Sequence, residues 1–284
     1  MLHWSSAATT HPATWHPKCM TMETRTFFTE SACLIEQGNL EIFKIPSQTA
    51  EGDKKSLLSL QNIVRRNVRN YTYLEVGSFL GGTLLPHLAD PECRLAYSID
   101  KRPASQLDER GRTYDYVQSS TQVMLATLEQ HLPFSAMLKL QTFDLDASAL
   151  TAEQIALASD FVLIDAEHTN QAVFRDFLNV YPFTKENSVI AFHDAQYIFD
   201  ALSNIEAFLA YQKVKHETFV IPDSVFVVLL GDFVNLAANV LSRFCLDKKT
   251  FFSNARKQLW EEIARNNALP VAGEIRYGTK SRSS

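Results

Sequence analysis

Polar residues with chemical capacity recur at the ends of β-prone runs in this chain. Glu75 lies near the end of residues 71–76, Asp100 follows 94–99, Asp144 follows 138–143, Asp165 follows 161–164, and His193-Asp194 follow 188–192. A carboxylate can accept hydrogen bonds from neutral hydroxyls, take a proton as a base, or offer oxygen to a hard cation. An imidazole titrates near neutrality and ligates metals. Taken singly, a strand-end Asp is often a helix cap or turn residue. Five strand ends in series are different, because in an open α/β sheet they converge on the crevice where ligands lie.

Residues 71–83, Tyr-Thr-Tyr-Leu-Glu-Val-Gly-Ser-Phe-Leu-Gly-Gly-Thr, supply a turn for that crevice. Glycine lets the backbone bend sharply and approach a ligand with no Cβ in the way. The spacing of Gly77, Gly81 and Gly82 is G-x-x-x-G-G, whereas the dinucleotide fingerprint is G-x-G-x-x-G. A phosphate-cradling loop is therefore not what the glycines describe.

The elements that must position these groups alternate along the chain. Leu57, Leu58, Leu60, Ile63 and Val64 form a helical stripe over 56–67. After the strand at 71–76 come a short helix at 83–88, the strand at 94–99, and a helix over 120–131 capped by Ser120, with Val123, Met124, Leu125 and Leu128 as its apolar set. The strand at 138–143 precedes a short helix at 151–157 with Thr151 as its cap. The continuous apolar run 161–164 suits a strand buried on both faces. Helices are expected at 169–181, through Val173, Phe174, Phe177 and Leu178, and at 198–211, with the strand 188–192 between them. The β-rich runs 217–221 and 224–230 are joined by Pro222-Asp223, and so short a link forces antiparallel pairing. The expected organisation is a disordered tail at 1–22, an N-terminal helical and irregular extension at 23–69, an α/β domain at 70–232, and a C-terminal helical extension at 233–284 with a disordered end. Leu236, Val240, Leu241 and Phe244 mark the stripe of that last extension.

The 284 residues are 46% hydrophobic, enough for a substantial core, and carry a formal net charge of -5. A nucleic-acid binder shows a basic excess or stripe, so no nucleic-acid partner is expected. Arg65-Arg66-Asn67-Val68-Arg69 reads as a solvated helix face. The four cysteines are scattered without a C-x-x-C pair, which argues against a disulfide scaffold or structural zinc and for a cytoplasmic location. No apolar run approaches the ~18 residues of a membrane span, so no membrane partner is expected.

The run Leu-Glu-Val-Gly-Ser-Phe-Leu-Gly-Gly resembles the first motif of class I S-adenosylmethionine (SAM)-dependent methyltransferases. The segment from Asp160 to Asp176, with residues 188–194, is similar to a branch of that class: small-molecule O-methyltransferases related to macrocin O-methyltransferases and cephalosporin-hydroxylase-like proteins. Ala166-Glu167 departs from the branch, where Gly-Asp is common. The resemblance covers about residues 70–232. It implies an α/β, Rossmann-like, doubly wound seven-stranded sheet, mostly parallel with a C-terminal antiparallel hairpin and flanked by helices. It also implies a SAM site, with Gly77, Ser78 and Gly81 along the methionine moiety, Asp100 on the ribose hydroxyls, Asp144 (or its neighbour Asp146) at the adenine, and Glu75 and Asp165 completing the set. Asp165, His168 and His193 are the implied catalytic groups, with His193 a general base near its ordinary pKa. Asp165, His193 and Asp194 could hold a divalent cation, magnesium or, given the imidazole, a transition metal. The expected partner is a small-molecule hydroxyl acceptor, such as a sugar or natural product, and a homo-oligomer is compatible with the chain. The alternatives are a SAM-binding protein with impaired catalysis and an NAD-dependent oxidoreductase. For the latter, Tyr181-Pro-Phe-Thr-Lys185 spells Tyr-x-x-x-Lys, though Pro182 stands between the pair.

Overall fold

The computed structural model describes residues 21–116 and 119–268. In chain order the elements are α1 (Met22–Glu36), α2 (Glu51–Asn67), β1 (Tyr71–Val76), α3 (Leu84–Ala89), β2 (Cys93–Ile99), β3 (Ser105–Leu107), β4 (Thr113–Asp115), α4 (Thr121–Glu129), α5 (Phe134–Met137), β5 (Leu140–Phe143), β6 (Ser159–Ile164), α6 (Asn170–Val180), β7 (Thr184–Phe192), α7 (Phe199–Tyr211), β8 (His216–Ile221), β9 (Val225–Leu230), α8 (Phe233–Leu241) and α9 (Lys248–Ala268).

Seven strands form one sheet in the order β5-β2-β1-β6-β7-β9-β8. The first five run parallel, and β9 pairs antiparallel with both β7 and β8. The expected mostly parallel sheet closed by an antiparallel hairpin is what forms. The chain winds outward from β1 through β2 to β5, then returns to the other side of β1 at β6. The reversal places a switch point between β1 and β6, where a doubly wound sheet binds its ligand.

Both sheet faces are covered, so β1, β6 and β9 are buried along their whole length. Residues of α1 to α5 and α8 share one core with the sheet, and residues of α6, α7 and α9 pack on the opposite face. Segment 23–69 therefore helps to build the principal core through Phe28, Ile35, Leu57 and Leu60. No helix among the described residues is long and apolar enough to cross a membrane.

Several local expectations fail for identifiable reasons. Residues 151–157 form turns rather than a helix. The Gln154 side chain accepts the Thr151 N–H at 2.9 Å, and so short a segment gains too few bonds to repay helix nucleation. The strand expected from 138 begins at Leu140, because α5 occupies the preceding residues. The hairpin β3–β4 lacks an apolar run and was not anticipated. Among the described residues the C-terminal extension is two helices, and the buried face of the first is Phe233, Ala237 and Leu241; Leu236 and Val240 are exposed. Arg65 is no solvated residue: it is buried, with Asp90 at 3.0 Å and Glu36 at 2.7 Å. The tail expected at 1–22 falls outside the described residues up to residue 20, as does the chain beyond 268.

Gly77 holds the switch point together. Its N–H donates to the Ile99 carbonyl at 2.9 Å, and its φ is +94°. A Cβ there would lie 2.2 Å from the Asp165 carbonyl oxygen. Gly77→Ala should thus combine backbone strain with a clash against rigid backbone, and cost at least about 2 kcal/mol in denaturant unfolding. Gly111, at φ +73° with nothing within 4 Å, supplies the comparison: Gly111→Ala should cost only the conformational strain, about 1 kcal/mol.

Candidate active site

The C-terminal ends of β1, β2, β6 and β7 open onto a cavity of about 800 Å³. Gly77 and Ser78 line it, as do Asp100, Asp165, His168, His193 and Asp194. These seven residues, singled out in the sequence, meet in one place.

Four others do not line it. Glu75 is fully buried beneath the turn, where its carboxylate accepts the Tyr73 hydroxyl at 2.8 Å and the Thr83 hydroxyl at 2.6 Å. Burial pushes its pKa up to about 8 against those two hydrogen bonds. Thr83 does line the cavity, so Glu75 acts on it through that hydroxyl. Gly81 faces Leu128 in the core. Asp144 bonds the Thr121 hydroxyl outside the cavity, and Asp146 caps the turn at Ser148.

The Asp100 carboxylate accepts the Phe79 N–H at 3.0 Å and the Arg102 N–H at 2.8 Å, with the Arg102 guanidinium at 3.2 Å. Phe79, Arg102 and Asp194 are non-glycine residues at positive φ: +45°, +49° and +55°. Such backbone conformations are costly and gather at functional sites. Ala166 is not among them, so its departure from glycine entails no strain of this kind.

Part of the cavity is lined by a chain of alternating acids and imidazoles. His168 Nε2 lies 3.2 Å from Asp165 Oδ1, and its Nδ1 3.0 Å from Asp194 Oδ2. His193 Nδ1 lies 3.0 Å from the same Asp165 oxygen, and its Nε2 3.1 Å from Asp53 Oδ2. His168 precedes Thr169, the cap of α6, and lines the cavity. Burial pulls the His168 pKa down, but hydrogen bonds to Asp165 and Asp194 outweigh it and raise the value to about 9. Burial likewise opposes charge on His193, and the Asp165 and Asp53 carboxylates overcome it, leaving the group well above its ordinary value. The expectation of a His193 base near its ordinary pKa is thus corrected. Burial raises the carboxyl pKa of Asp165 and of Asp194, yet the imidazoles hold both below the ordinary range.

A donor atom from each of Asp165, His168 and His193 lies within 4.8 Å of the others. His193 Nδ1 is buried and has no well-aligned hydrogen bond, despite its short distance to Asp165. An orphaned ring nitrogen beside two further donors fits a cation. Two imidazoles and a carboxylate suit a transition metal better than magnesium. The sequence reading named Asp165, His193 and Asp194 for this role; the geometry groups Asp165 and His193 with His168 instead, and Asp194 pairs with His168 Nδ1.

The sequence model of a methyltransferase domain family matches residues 74–195. Over that stretch the chain is similar to methyltransferase domains. The match runs from within β1 to just past His193-Asp194, so it contains the glycine turn and every strand-end acid above. No curated protein sequence matches the chain. Among solved structures, the O-methyltransferase NovP superposes with a TM-score of 0.52 at 11% identity, over 73% of this chain and 99% of NovP. The calicheamicin methyltransferase CalS11 gives 0.48 at 12% identity, over 81% and 100%. The O-methyltransferase TomG from Streptomyces achromogenes, involved in tomaymycin synthesis, gives 0.42 at 14%, over 74% and 99%. At such identities the likeness to NovP is one of fold. Tyr181 and Lys185 share no helix: Lys185 lies in β7 and pairs with Asp160 at 2.8 Å. The oxidoreductase spacing is therefore coincidental.

Sequence reasoning missed Asp53, which reaches the site from α2, and the wall formed by Arg110, Tyr114, Tyr116 and Gln258. Asp53 sits in the charged stretch Glu-Gly-Asp-Lys-Lys, where an acid in the first turn of a helix needs no further reason.

Proposed function

We propose that the methyltransferase moves the methyl group of SAM to a hydroxyl of a small polyhydroxylated acceptor, a sugar or sugar-bearing natural product, with a divalent cation at Asp165, His168 and His193. The observation that supports this best is the Asp165 carboxylate, set between two imidazoles at the switch point and facing the cavity. The glycine turn at Gly77 and Ser78 and the Asp100 carboxylate make the cofactor side. Gln48, Gln106, Gln196, Gln258, Tyr114 and Tyr116 also line the cavity. Such uncharged donors and acceptors suit an acceptor rich in hydroxyls. About 800 Å³ lies toward the upper end for small-molecule sites, leaving space for an acceptor beside the cofactor.

SAM supplies a methyl group on a positive sulfur that leaves neutral, so the leaving group needs no acid. The chain must align the acceptor oxygen and take its proton. In the cation-free chain Asp165 would take that proton, because its carboxylate neighbours raise the pKa values of both imidazoles. A bound divalent cation would fix the acceptor oxygen and lower the pKa of its hydroxyl.

Calorimetry with the metal-free chain should show SAM binding in the micromolar range and none with NAD. NAD binding alone would refute the reading. Restoring activity after chelation should need at least about tenfold less manganese or cobalt than magnesium, since imidazole favours the former. Equal activity in the presence of excess chelator would remove the cation and leave Asp165 to act alone.

A further inference from the structure

Asp53 stands in α2, outside the residues that match the methyltransferase family. Its side chain is 4% exposed. One carboxylate oxygen accepts the Ser224 backbone N–H at 2.7 Å; the other accepts the Ser224 hydroxyl at 2.8 Å and faces His193 Nε2 at 3.1 Å. The first two turns of α2 are locked onto the link between β8 and β9. The Ser56 hydroxyl donates to the Pro222 carbonyl at 2.9 Å, and a Cβ on Gly52 would lie 1.7 Å from Asp223 Oδ2. Asp53 is thus held in place by elements on both sides.

A carboxylate only accepts hydrogen bonds. Its contact with His193 therefore requires a hydrogen on Nε2. The other ring nitrogen, Nδ1, is the one that is buried, lacks an aligned partner and lies beside Asp165. A carboxylate behind an imidazole fixes which nitrogen carries the hydrogen and how the ring is turned.

We propose that Asp53 is a positioning residue that keeps a hydrogen on His193 Nε2 and so presents Nδ1 to the reacting end of the cavity. This rests on His193 belonging to the reaction site proposed above. The residue makes the N-terminal extension part of the site: the methyltransferase fold supplies the histidine, and α2 supplies the group that orients it.

A merely structural role would require only an acceptor for the Ser224 N–H, and an asparagine offers one. With its Oδ1 on that N–H, the Asn NH₂ would face His193 Nε2, which must then accept. The ring would then carry its hydrogen on Nδ1 alone. Asp53→Asn thus separates the two roles.

The test uses the full chain with ¹⁵N-labelled histidine, with and without Zn²⁺. Wild type should show a proton on His193 Nε2 in both states. Asp53→Asn should lose it and bind Zn²⁺ about 10–100-fold more weakly by calorimetry. Ser224→Ala, which removes one bond to Asp53 and leaves its carboxylate facing the ring, should keep the Nε2 proton and wild-type Zn²⁺ affinity. An unprotonated Nε2 in wild type would overturn the proposal, as would an Asp53→Asn protein that keeps the Nε2 proton. An equal affinity loss in Ser224→Ala would also overturn it, by assigning Asp53 a structural part only. If Asp53→Asn does not fold, the wild-type and Ser224→Ala spectra decide. A chain that takes up no Zn²⁺, yet loses the Nε2 proton in Asp53→Asn, would sink the cation reading and leave the positioning role standing.

Discussion

Asp165→Asn should lower turnover by at least about a hundredfold, the usual scale for losing a general base, while the chain remains folded. The expectation follows from who holds the protons. His168 and His193 each sit between two carboxylates and have raised pKa values, so in the cation-free chain neither is free to accept one. Asp165 is an ionised group at the reacting end, its side chain 15% exposed. The amide keeps the shape and one oxygen but removes the charge that both imidazoles share. Whether Asp165 takes the acceptor proton or helps to hold a cation, that charge is the working part. SAM affinity by calorimetry divides its suggested roles. Unchanged affinity with lost turnover places Asp165 at the chemistry; a parallel fall in affinity adds a cofactor contact. Removing an anion from between two buried cations also costs stability, of order 3 kcal/mol. Turnover should therefore be measured well below the variant's melting temperature. Near-normal turnover on the true acceptor would end the catalytic assignment.

The sheet was legible because parallel strands buried on both faces leave continuous apolar runs. β6 and β7 announced themselves in this way, and the short Pro222-Asp223 link revealed the closing hairpin. The polar groups at the ends of β2, β6 and β7 were legible for a related reason. They interrupt apolar runs at the one edge where a doubly wound sheet is open. What stayed hidden depended on contacts distant in sequence. Asp53 and His193 are separated by 140 positions, and nothing about an acid in Glu-Gly-Asp-Lys-Lys singles it out. Glu75 and Asp144 show the converse. Both end strands as Asp165 does, yet the hydroxyls of Tyr73 and Thr83 engage one, and that of Thr121 the other, outside the cavity. Strand position gave the edge of the sheet; the direction of each side chain was set by neighbours that the spacing does not encode. The exposed Leu236 and Val240 make the same point for α8, where the stripe was real but the buried face lay one step round the helix.

Cation-free protein should lose stability as the pH rises from about 6.5 to 9, by an amount on the order of 3 kcal/mol from His168 alone. The sign follows from the direction of the shift. The ordinary His pKa is 6.5, and Asp165 and Asp194 raise that of His168 to about 9 in the folded chain. Below 6.5 the residue is protonated whether the chain is folded or not, and the stabilising pairs are complete. Between the two values the folded state binds a proton that the unfolded state has released, so each step upward in pH favours unfolding. Above about 9 the contribution is gone. His193 is shifted the same way by Asp165 and Asp53, and its loss begins in the same window. Glu75 adds to the slope from its own side: its pKa, raised by burial to about 8, means that ionisation above 4.5 favours the unfolded chain. His168→Gln separates these sources. Melting temperatures taken in chelator should fall roughly 5–10 °C across the window in wild type, and clearly less in the variant. An identical fall in both would assign the slope to Glu75 and His193. No fall in wild type would mean that the imidazoles are not held protonated by their carboxylates. A bound transition metal should reverse the trend, because ligation needs the neutral ring and the metal competes with the proton. The same titration in cobalt should then hold its melting temperature, or gain, as the pH rises, which ties the pH response directly to the occupant of the site.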